Sequence, residues 1–214
     1  MKIDTNTCWY DKECALAMNN FYNVHLKNKT KKKQWEDFLH TKTFSDILLN
    51  IPYKNVELLD LGCGTGALSI FCNEFKYCGA DMSYILNNSS KINFPQYDYY
   101  ECDILIDDLE WLNKYQILVL NAVIDVMQYP LYTLEKILHH VKEYIIIHRQ
   151  EITISGQTKT IQNNSYNSIT YHSIINRHEF EKVLQKLNFE IITEKTLEFT
   201  NWENGGNSFL LKRI

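Results

Sequence analysis

The sequence predicts an α/β fold, a three-layer sandwich in which helices cover both faces of a mostly parallel β-sheet. Short apolar runs alternate with amphipathic stretches through most of the chain, which is the pattern of parallel strands joined by crossover helices. The last two apolar runs, residues 189–199 and 208–212, are separated by too short a segment to hold such a helix. We therefore expect these two strands to pair antiparallel.

The other elements follow in order along the chain. Residues 11–49 carry apolar side chains at three- and four-residue spacing, which predicts N-terminal helices over residues 1–50, and Pro52 ends them. A helix is also predicted between the fourth and fifth apolar runs, and another over residues 179–187. The runs predicted to form the parallel strands are residues 56–61, 77–80, 97–102, 116–120 and 144–148.

One polar stretch interrupts this alternation. Residues 150–168 have no periodicity and are expected to form an inserted loop or a short hairpin, so that the insert before the last helix spans residues 150–175. There is no internal repeat and no linker composition. Residues 1–214 are therefore predicted to form a single domain.

The composition gives no general attraction to nucleic acid or to anionic membranes, because the formal net charge is -4 and the pI is near 6.0. A basic run at residues 27–33 is expected to be a solvated helix end, with contact to a phosphate-bearing acceptor as the alternative. The 6 cysteines form no CxxC pair and no Cys/His spacing, so no metal site is predicted. No secretory signal or membrane-spanning stretch is recognisable, and a cytoplasmic protein is expected.

A glycine-rich loop follows the first predicted strand. Asp60 lies near the end of that strand, and Gly62, Cys63, Gly64 and Gly66 follow before a predicted helix. Glycine permits positive φ and lets the backbone approach a ligand closely. The N–H groups at the start of a following helix would favour an anionic group. These five residues are therefore candidates for binding a ligand.

Two acidic positions follow at the ends of the next two predicted strands. Asp81, with Met82 after it, lies about 20 residues beyond the first glycine, where a carboxylate can accept both ribose hydroxyls. Asp103 and Ile104 follow the third strand, where an adenine ring would lie with its amino group near Asp103. Because ligands bind at the carboxyl ends of strands in open α/β sheets, the three elements together predict a nucleoside site.

The same loop also satisfies the dinucleotide fingerprint, since Gly62, Gly64 and Ala67 have its spacing. Three features oppose that alternative. Asp60 precedes the loop, where a dinucleotide-binding strand is normally apolar; about fifty residues of helix come before the loop; and the C-terminal pair does not continue a second mononucleotide-binding half. An NAD-dependent oxidoreductase is therefore the least favoured alternative.

At these residues the sequence resembles the class I, Rossmann-like S-adenosylmethionine-dependent methyltransferases. Their pattern of acid-x-Gly-x-Gly-x-Gly, ribose-binding acid and adenine-side acid is met by residues 60–66, Asp81 and Asp103. The resemblance covers residues 56–214. It implies a seven-stranded sheet of order 3-2-1-4-5-7-6 with strand 7 antiparallel, S-adenosyl-L-methionine as the cofactor, and a position facing the cofactor for Asn121, at the end of the fourth strand.

A narrower likeness concerns other parts of the chain. Residues 121–130, 144–149 and 204–212 look like a group of bacterial methyltransferases associated with surface-polysaccharide biosynthesis. In the family, N-terminal helices and the insert before the last helix usually form the lid over the acceptor. The resemblance therefore implies a lid built from residues 4–33 and 150–173.

Three side chains are candidates for taking a proton from an acceptor oxygen or amine. His148 ends the fifth predicted strand, at the same sheet edge as the glycine loop, and Arg149 and Glu151 follow it. His172 lies just after the polar insert, and Asp125 stands where many small-molecule members of the family have a histidine. The alternatives are a hydrogen-bonded edge position for His148 and a helix-capping or solvent-facing role for Asp125.

The motifs favour a small-molecule acceptor over nucleic acid. Family members that methylate adenine amino groups need an Asn/Asp-Pro-Pro-aromatic motif at the fourth strand, where this chain has Asn121-Ala-Val-Ile, and the Pro-Cys of cytosine-ring enzymes does not occur. We therefore expect methyl transfer to an oxygen of a metabolite or sugar intermediate. A non-catalytic module that keeps the cofactor fold and an RNA methyltransferase are the alternatives, and no motif indicates an oligomeric state.

Overall fold

A nine-stranded β-sheet forms the centre of the computed structural model, which describes residues 12–14, 16–17, 20, 39–165, 168–197 and 205–214. Most of the lid segment at residues 4–33, and the basic run within it, lie outside the described residues. The strands are β1 (Glu57–Leu61), β2 (Lys76–Asp81), β3 (Asp98–Glu101), β4 (Ile117–Asn121), β5 (Tyr144–Thr153), β6 (Lys159–Ser165), β7 (Ser168–Asn176), β8 (Phe189–Leu197) and β9 (Gly206–Arg213).

The sheet order confirms the predicted fold class. Strands β3, β2, β1, β4 and β5 lie side by side in that order and run parallel. Strand β9 pairs antiparallel with β5, and β8 pairs antiparallel with β9. The main path is therefore 3-2-1-4-5-9-8, which is the expected 3-2-1-4-5-7-6 arrangement with two strands inserted before the last pair.

Those two inserted strands correct the predicted strand count. Strands β6 and β7 form an antiparallel hairpin that begins within the stretch 150–168 predicted as a loop or hairpin and extends beyond it to residue 176, and β7 pairs in parallel with the last residues of β5, 151–153. The partner of β5 changes around Arg149, where the register with β9 shifts and φ is +66°. A bulge bends a strand and redirects its side chains, which allows β5 to leave β9 and continue beside β7.

Helices lie where the apolar periodicity predicts them in the later part of the chain. One begins with Pro130, whose fixed φ suits the first position of a helix. Another begins after Asn176, whose side chain accepts a hydrogen bond from the N–H of Glu179 at 3.1 Å. The helices are α1 (Leu39–Leu48), α2 (Ser83–Ile85), the π-helix Leu86–Ser90, α3 (Lys91–Asn93), α4 (Pro130–Leu138), α5 (Arg177–Lys186) and the 3₁₀ helices Ala67–Phe71, Glu110–Lys114 and Ile124–Val126.

Alternate residues of the central strands face two separate apolar cores. On one face Leu59, Leu118 and Ile145 are fully or almost fully buried in a cluster that includes side chains of α4 and α5. The opposite face carries α1 packed on a second cluster, whose strand residues include Leu58, Ile117, Val119 and Ile146. Burial on both faces explains why these strands read as nearly continuous apolar runs. Within the described ranges, no helix has the length and apolar character needed to cross a bilayer.

The segment after the glycine loop differs from the prediction. The expected helix is only a five-residue 3₁₀ helix, Ala67–Phe71. It is followed at once by a turn in which the N–H of Phe75 donates to the carbonyl of Cys72 at 2.9 Å, and β2 begins at the next residue. So short a helix has little macrodipole, and the anion-binding role predicted for its N-terminus does not apply.

Candidate active site

The glycine loop is held between the carboxyl ends of its neighbouring strands. The N–H groups of Gly62 and Cys63 both donate to the carbonyl of Ala80, at 2.8 and 3.1 Å, which ties the loop to β2. On the other side, Val123 after β4 packs so closely that a Cβ on Gly62 would lie 2.6 Å from its Cγ2. Gly62 also has φ +77°, so both the backbone and the space around it require glycine.

Gly64 marks the open side of the loop. Its φ is +53°, and a Cβ built there would meet no atom of the described residues within 4 Å. The N–H of Gly64 donates to Oδ2 of Asp81 at 2.8 Å. The backbone of the turn therefore borders open space and has a carboxylate bound beside it, as the sequence predicts for a ligand-binding turn.

Asp81 faces the glycine loop and is held by two backbone amides. Oδ2 accepts from Gly64, and Oδ1 accepts from the N–H of Met82, also at 2.8 Å. Desolvation raises the pKa of Asp81 to about 6 even though these two hydrogen bonds lower it, and repulsion from Asp103 raises it further. Each carboxylate oxygen can accept more than one hydrogen bond, so Asp81 can still bind a pair of hydroxyls.

The turn after β3 is held by an ammonium group from α4. Nζ of Lys136 donates to the carbonyl oxygens of Ile104, Leu105 and Asp107 at 2.8, 3.0 and 2.9 Å. Within the turn, Oδ1 of Asp103 accepts the N–H of Leu105 at 2.9 Å. Charge-assisted hydrogen bonds of this kind are stronger than neutral ones, so Lys136 fixes the segment predicted to contact adenine.

The buried oxygens that have no hydrogen-bond partner in the described part of the chain include Oδ1 of Asp60 and Oδ1 of Asn121, at this sheet edge. Asp60 is 1% exposed, and its other carboxylate oxygen accepts from the hydroxyl of Tyr77 at 2.8 Å. Desolvation raises the pKa of Asp60 to about 7; the Tyr77 hydrogen bond lowers it, and Asp81 raises it. Buried polar atoms are normally paired, so these oxygens suit a ligand that brings hydrogen-bond donors.

The structure corrects the prediction that His148 is available as a base. His148 is 1% exposed, its Nδ1 lies 2.6 Å from Oγ of Ser208, and its Nε2 lies 3.2 Å from Nδ1 of His40. Burial holds the pKa of His148 well below its ordinary value, and His40 and Arg149 lower it further. Both ring nitrogens are used inside the fold, which is the hydrogen-bonded edge role named as the alternative.

His172 has a different environment. Its Nε2 lies 2.7 Å from Oε2 of Glu151, and the side chains are 19% and 2% exposed. The acid is therefore buried, whereas part of the imidazole is accessible. The pair joins two neighbouring strands, since Glu151 belongs to the end of β5 and His172 to β7.

The hairpin that carries His172 docks on the segment after β4. Oγ of Ser173 donates to the carbonyl of Met127 at 2.5 Å, and Oγ1 of Thr160 donates to the carbonyl of Gln128 at 3.0 Å. These contacts bring β7 against the 3₁₀ helix Ile124–Val126. The hairpin therefore contributes to the same sheet edge as the glycine loop.

Asp125, in that 3₁₀ helix, is 5% exposed, so the solvent-facing alternative is wrong. Its Oδ1 has no hydrogen-bond partner among the described residues. Desolvation raises the pKa of Asp125 to about 6, whereas the charges of Arg149 and His172 and backbone amides of its own turn lower it. The N-cap of this 3₁₀ helix is Val123, so the structure does not support the helix-capping alternative for Asp125 either. We call Asp125, Arg149, Glu151 and His172 the β5-end cluster.

Some of the side chains that shape this site could not be identified from the sequence. Tyr77 beneath Asp60 belongs to an ordinary apolar run, and Lys136 belongs to an ordinary amphipathic helix, so neither has a motif. Glu151 and His172 were both visible as polar residues near predicted strands. The alternation of β7 could have suggested the face on which His172 lies, but its neighbour on β5 depends on the register between the strands.

A family model described as a methyltransferase domain matches residues 24–194. No curated protein matches the chain. Among solved structures, magnesium protoporphyrin IX methyltransferase from Synechocystis PCC 6803 with bound SAH has a TM-score of 0.66 at 10% identity, and the match covers 98% of this chain and 96% of that chain. This likeness shows the fold alone.

Two further solved structures have the same fold. A SAM-dependent methyltransferase from Methanosarcina mazei has a TM-score of 0.62 at 13% identity, covering 78% of this chain and 97% of that one. An amino pentose methyltransferase from Micromonospora echinaspora, with bound SAM, has a TM-score of 0.57 at 14% identity, and the match covers 91% of this chain and 96% of that chain. Because the family model spans most of the sequence, the chain belongs to the class I S-adenosylmethionine-dependent methyltransferase family.

Proposed function

We propose that this chain transfers the methyl group of S-adenosylmethionine to a hydroxyl oxygen of a small polar acceptor, such as a metabolite or a sugar intermediate. The observation that carries the proposal is the hydrogen bond between Asp81 and Gly64 at the open side of the glycine loop. It places a carboxylate and a bare backbone next to each other at the carboxyl edge of a parallel sheet, where ligands of such sheets bind.

The described residues fit the cofactor chemically. Asp81 would accept the ribose hydroxyls, Asp103 would lie beside the adenine amino group, and Gly64 would border the amino-acid end. The unpartnered oxygens of Asp60 and Asn121 suit the ammonium group, which brings three hydrogen-bond donors. When bound, S-adenosylmethionine supplies an electrophilic methyl group on a positively charged sulfur. The protein must then align the acceptor with that methyl group and exclude water.

The β5-end cluster supports a hydroxyl-bearing acceptor. Oδ1 of Asp125 is buried without a described partner, so a hydroxyl of the acceptor can supply the missing hydrogen bond. A hydroxyl must also lose a proton during transfer, and His172 is a partly exposed group that can take it. The amino pentose enzyme among the structural neighbours gives further support for a sugar-like acceptor.

An isotope-transfer experiment tests this proposal. The purified chain is incubated with S-adenosylmethionine that carries a deuterated methyl group and with separate panels of sugars and nucleotide sugars, hydroxylated metabolites, amines, and RNA. We expect label on an oxygen of a hydroxyl-bearing small molecule. Label confined to RNA or to amines would contradict the proposal, and so would absence of transfer to every panel.

The same assay tests the acceptor role of Asp125. Asp125→Asn keeps the shape of the side chain but weakens the acceptor at Oδ1, so we expect the KM for the acceptor to rise about tenfold, the value of one hydrogen bond to a charged group. The affinity for S-adenosylhomocysteine should not change. Asp98→Asn, at an exposed carboxylate on β3, is the control. An unchanged KM in Asp125→Asn would remove Asp125 from the acceptor site.

A further inference from the structure

We infer that Ser90 is a positioning residue for the methyl donor: its hydroxyl fixes the carbonyl of Gly64, so that the glycine loop already has the conformation that binds the amino-acid end. The inference deepens the proposed function and rests on it for the place of that end beside Gly64. The structural part stands on the hydrogen bond from Oγ of Ser90 to the carbonyl oxygen of Gly64, at 2.8 Å. Ser90 lies 26 residues beyond the loop position that it binds.

Both polar groups of the Gly64 backbone are bound within the fold. Its N–H donates to Oδ2 of Asp81, and its carbonyl accepts from Ser90. On the remaining side, a Cβ built on Gly64 would meet no described atom within 4 Å. The two hydrogen bonds therefore fix the peptide groups before and after a residue whose open side borders the proposed ligand space.

A glycine at this position needs such a restraint. Gly64 has φ +53°, and glycine has more accessible backbone conformations than any other residue. If the peptide group between Gly64 and Thr65 were released, it could rotate, and the loop would have to be ordered again whenever a ligand binds. Ordering a segment on binding lowers affinity, and a preformed segment avoids that cost. Because Ser90 is 0% exposed, it acts on cofactor affinity through Gly64 and not by contact with the cofactor.

The position of Ser90 is set by an unusual turn of helix. Ser90 is the last residue of the π-helix Leu86–Ser90, and the N–H of Lys91 donates to the carbonyl of Leu86, five residues earlier. Such turns are rare in proteins and frequently occur at functional sites. The turn also packs closely on the loop, since Cβ of Ser90 lies 3.4 Å from the place of a Cβ on Gly66.

The direction of the hydrogen bond is set by the groups around the hydroxyl. A carbonyl oxygen can only accept, so the proton of the Ser90 hydroxyl lies toward Gly64. Sγ of Cys63 lies 3.7 Å from Oγ of Ser90 and can donate its own proton to that oxygen. Burial raises the pKa of the Cys63 thiol well above its ordinary value, so the thiol keeps this proton. The Ser90 hydroxyl thus links two neighbouring loop residues to the π-helix.

Carbonyl carbon-13 NMR tests this hydrogen bond without any ligand. The chain has 7 glycines, and only Gly64 precedes a threonine. Protein made in a cell-free reaction with carbonyl-¹³C glycine and ¹⁵N threonine therefore gives a single correlated signal, from the peptide group between Gly64 and Thr65. We expect Ser90→Ala to shift the Gly64 carbonyl carbon upfield, because a hydrogen bond deshields that carbon. An unmoved signal would overturn the inference.

Ser89→Ala is the matched control. Ser89 is also buried, at 1% exposure, and belongs to the same π-helix. Its Oγ accepts from Nδ2 of Asn93 at 3.4 Å, so this contact lies within the helical segment and not on the glycine loop. The Gly64 carbonyl signal of Ser89→Ala should match that of the wild type. Equal shifts in the two serine variants would show a general disturbance of the π-helix and would refute a specific role for Ser90.

Calorimetry with two ligands tests the consequence for binding. S-adenosylhomocysteine carries both the nucleoside and the amino-acid end, whereas 5′-methylthioadenosine carries the nucleoside alone. We expect Ser90→Ala to bind S-adenosylhomocysteine about fivefold more weakly than the wild type, the value of one neutral hydrogen bond, and to bind 5′-methylthioadenosine with unchanged affinity. Ser89→Ala should bind both ligands as the wild type does.

The two ligands separate a positioning role from a general loss of structure. Equal weakening for both ligands in Ser90→Ala, or unchanged affinity for S-adenosylhomocysteine, would overturn the inference. Failure of the wild type to bind S-adenosylhomocysteine would contradict the proposed function, on which the binding role depends. The carbonyl signal is independent of any ligand, so it shows in either case whether Ser90 holds Gly64.

Discussion

The two halves of the site are assembled in different ways. On the cofactor side, the glycine loop and Asp81 are joined by backbone hydrogen bonds between adjacent strands, and the participating residues, 60–82, form one continuous segment. On the acceptor side, the β5-end cluster depends on a hairpin that docks on the segment after β4, and on a change of strand partner around Arg149. In the proposed site, the contact of the glycine loop with Asp81 is therefore local in the sequence, whereas the β5-end cluster depends on tertiary contacts.

Backbone strain is also distributed differently between the two sides. The left-handed positions of the cofactor loop are glycines, which adopt such φ values at little cost. On the acceptor side, Arg149 within β5 has a φ of +66°. Non-glycine residues in this region cost about 1–3 kcal/mol each and persist where the surrounding structure holds them. The acceptor side thus contains strain that the cofactor side avoids.

The largest predicted effect is a loss of stability on substitution of Gly62, which measures how tightly the glycine loop is enclosed. Gly62→Ala combines a strained φ with a Cβ only 2.6 Å from Val123, so we expect the free energy of unfolding to fall by about 3 kcal/mol. Denaturant unfolding measures this loss. Adding Val123→Ala should recover part of it by making room.

Gly156→Ala provides a matched control for Gly62→Ala. Gly156 has nearly the same φ, +75°, but a Cβ there would meet no described atom within 4 Å. In Gly156→Ala only the cost of a left-handed backbone at a residue with a Cβ, about 1 kcal/mol, should remain. Equal losses in the two variants would show that contact with Val123 does not enclose the loop.

A smaller effect concerns the buried acid beneath the loop. The pKa of Asp60 is raised from 3.8 to about 7, so the native state binds its proton more strongly than the unfolded state. The contribution of Asp60 to stability is therefore fully present when the pH is below the pKa of the unfolded state, and it is lost as the pH rises through 7. Asp60→Asn should raise the free energy of unfolding at pH 8 by about 2 kcal/mol, and by less at pH 5. A gain that does not depend on pH would contradict the raised pKa of this buried acid.

The smallest predicted effect concerns the turn predicted to contact adenine. Lys136→Met removes the ammonium group that binds three carbonyl oxygens of residues 104–107. We expect the affinity for S-adenosylhomocysteine to fall about tenfold, because the turn would lose its fixed position. Lys114→Met, at an exposed lysine, is the control. Equal affinities in both variants would mean that this turn does not contribute to binding.

Features that depend on neighbouring residues in the sequence were predictable. The parallel strands, the C-terminal antiparallel pair and the contact of Asp81 with the glycine loop follow from spacing and periodicity within short segments. The environment of His148 was not predictable, because His40 and Ser208, which bind its ring, lie 108 and 60 residues away in the chain. The pairing of Glu151 with His172 likewise depends on how the hairpin docks, which no local pattern specifies.

The most direct test of the central claim is calorimetry of S-adenosylhomocysteine binding to the wild type, to Asp81→Ala and to Asp98→Ala. Asp81 lies against the glycine loop, whereas Asp98 is an exposed carboxylate on the neighbouring strand. The wild type and Asp98→Ala should bind with equal affinity, and Asp81→Ala should bind at least about a hundredfold more weakly, since two hydrogen bonds to a charged group are lost. Binding of NADH in place of S-adenosylhomocysteine, or equal binding by Asp81→Ala and the wild type, would contradict the claim that this carboxylate holds the nucleoside of the methyl donor.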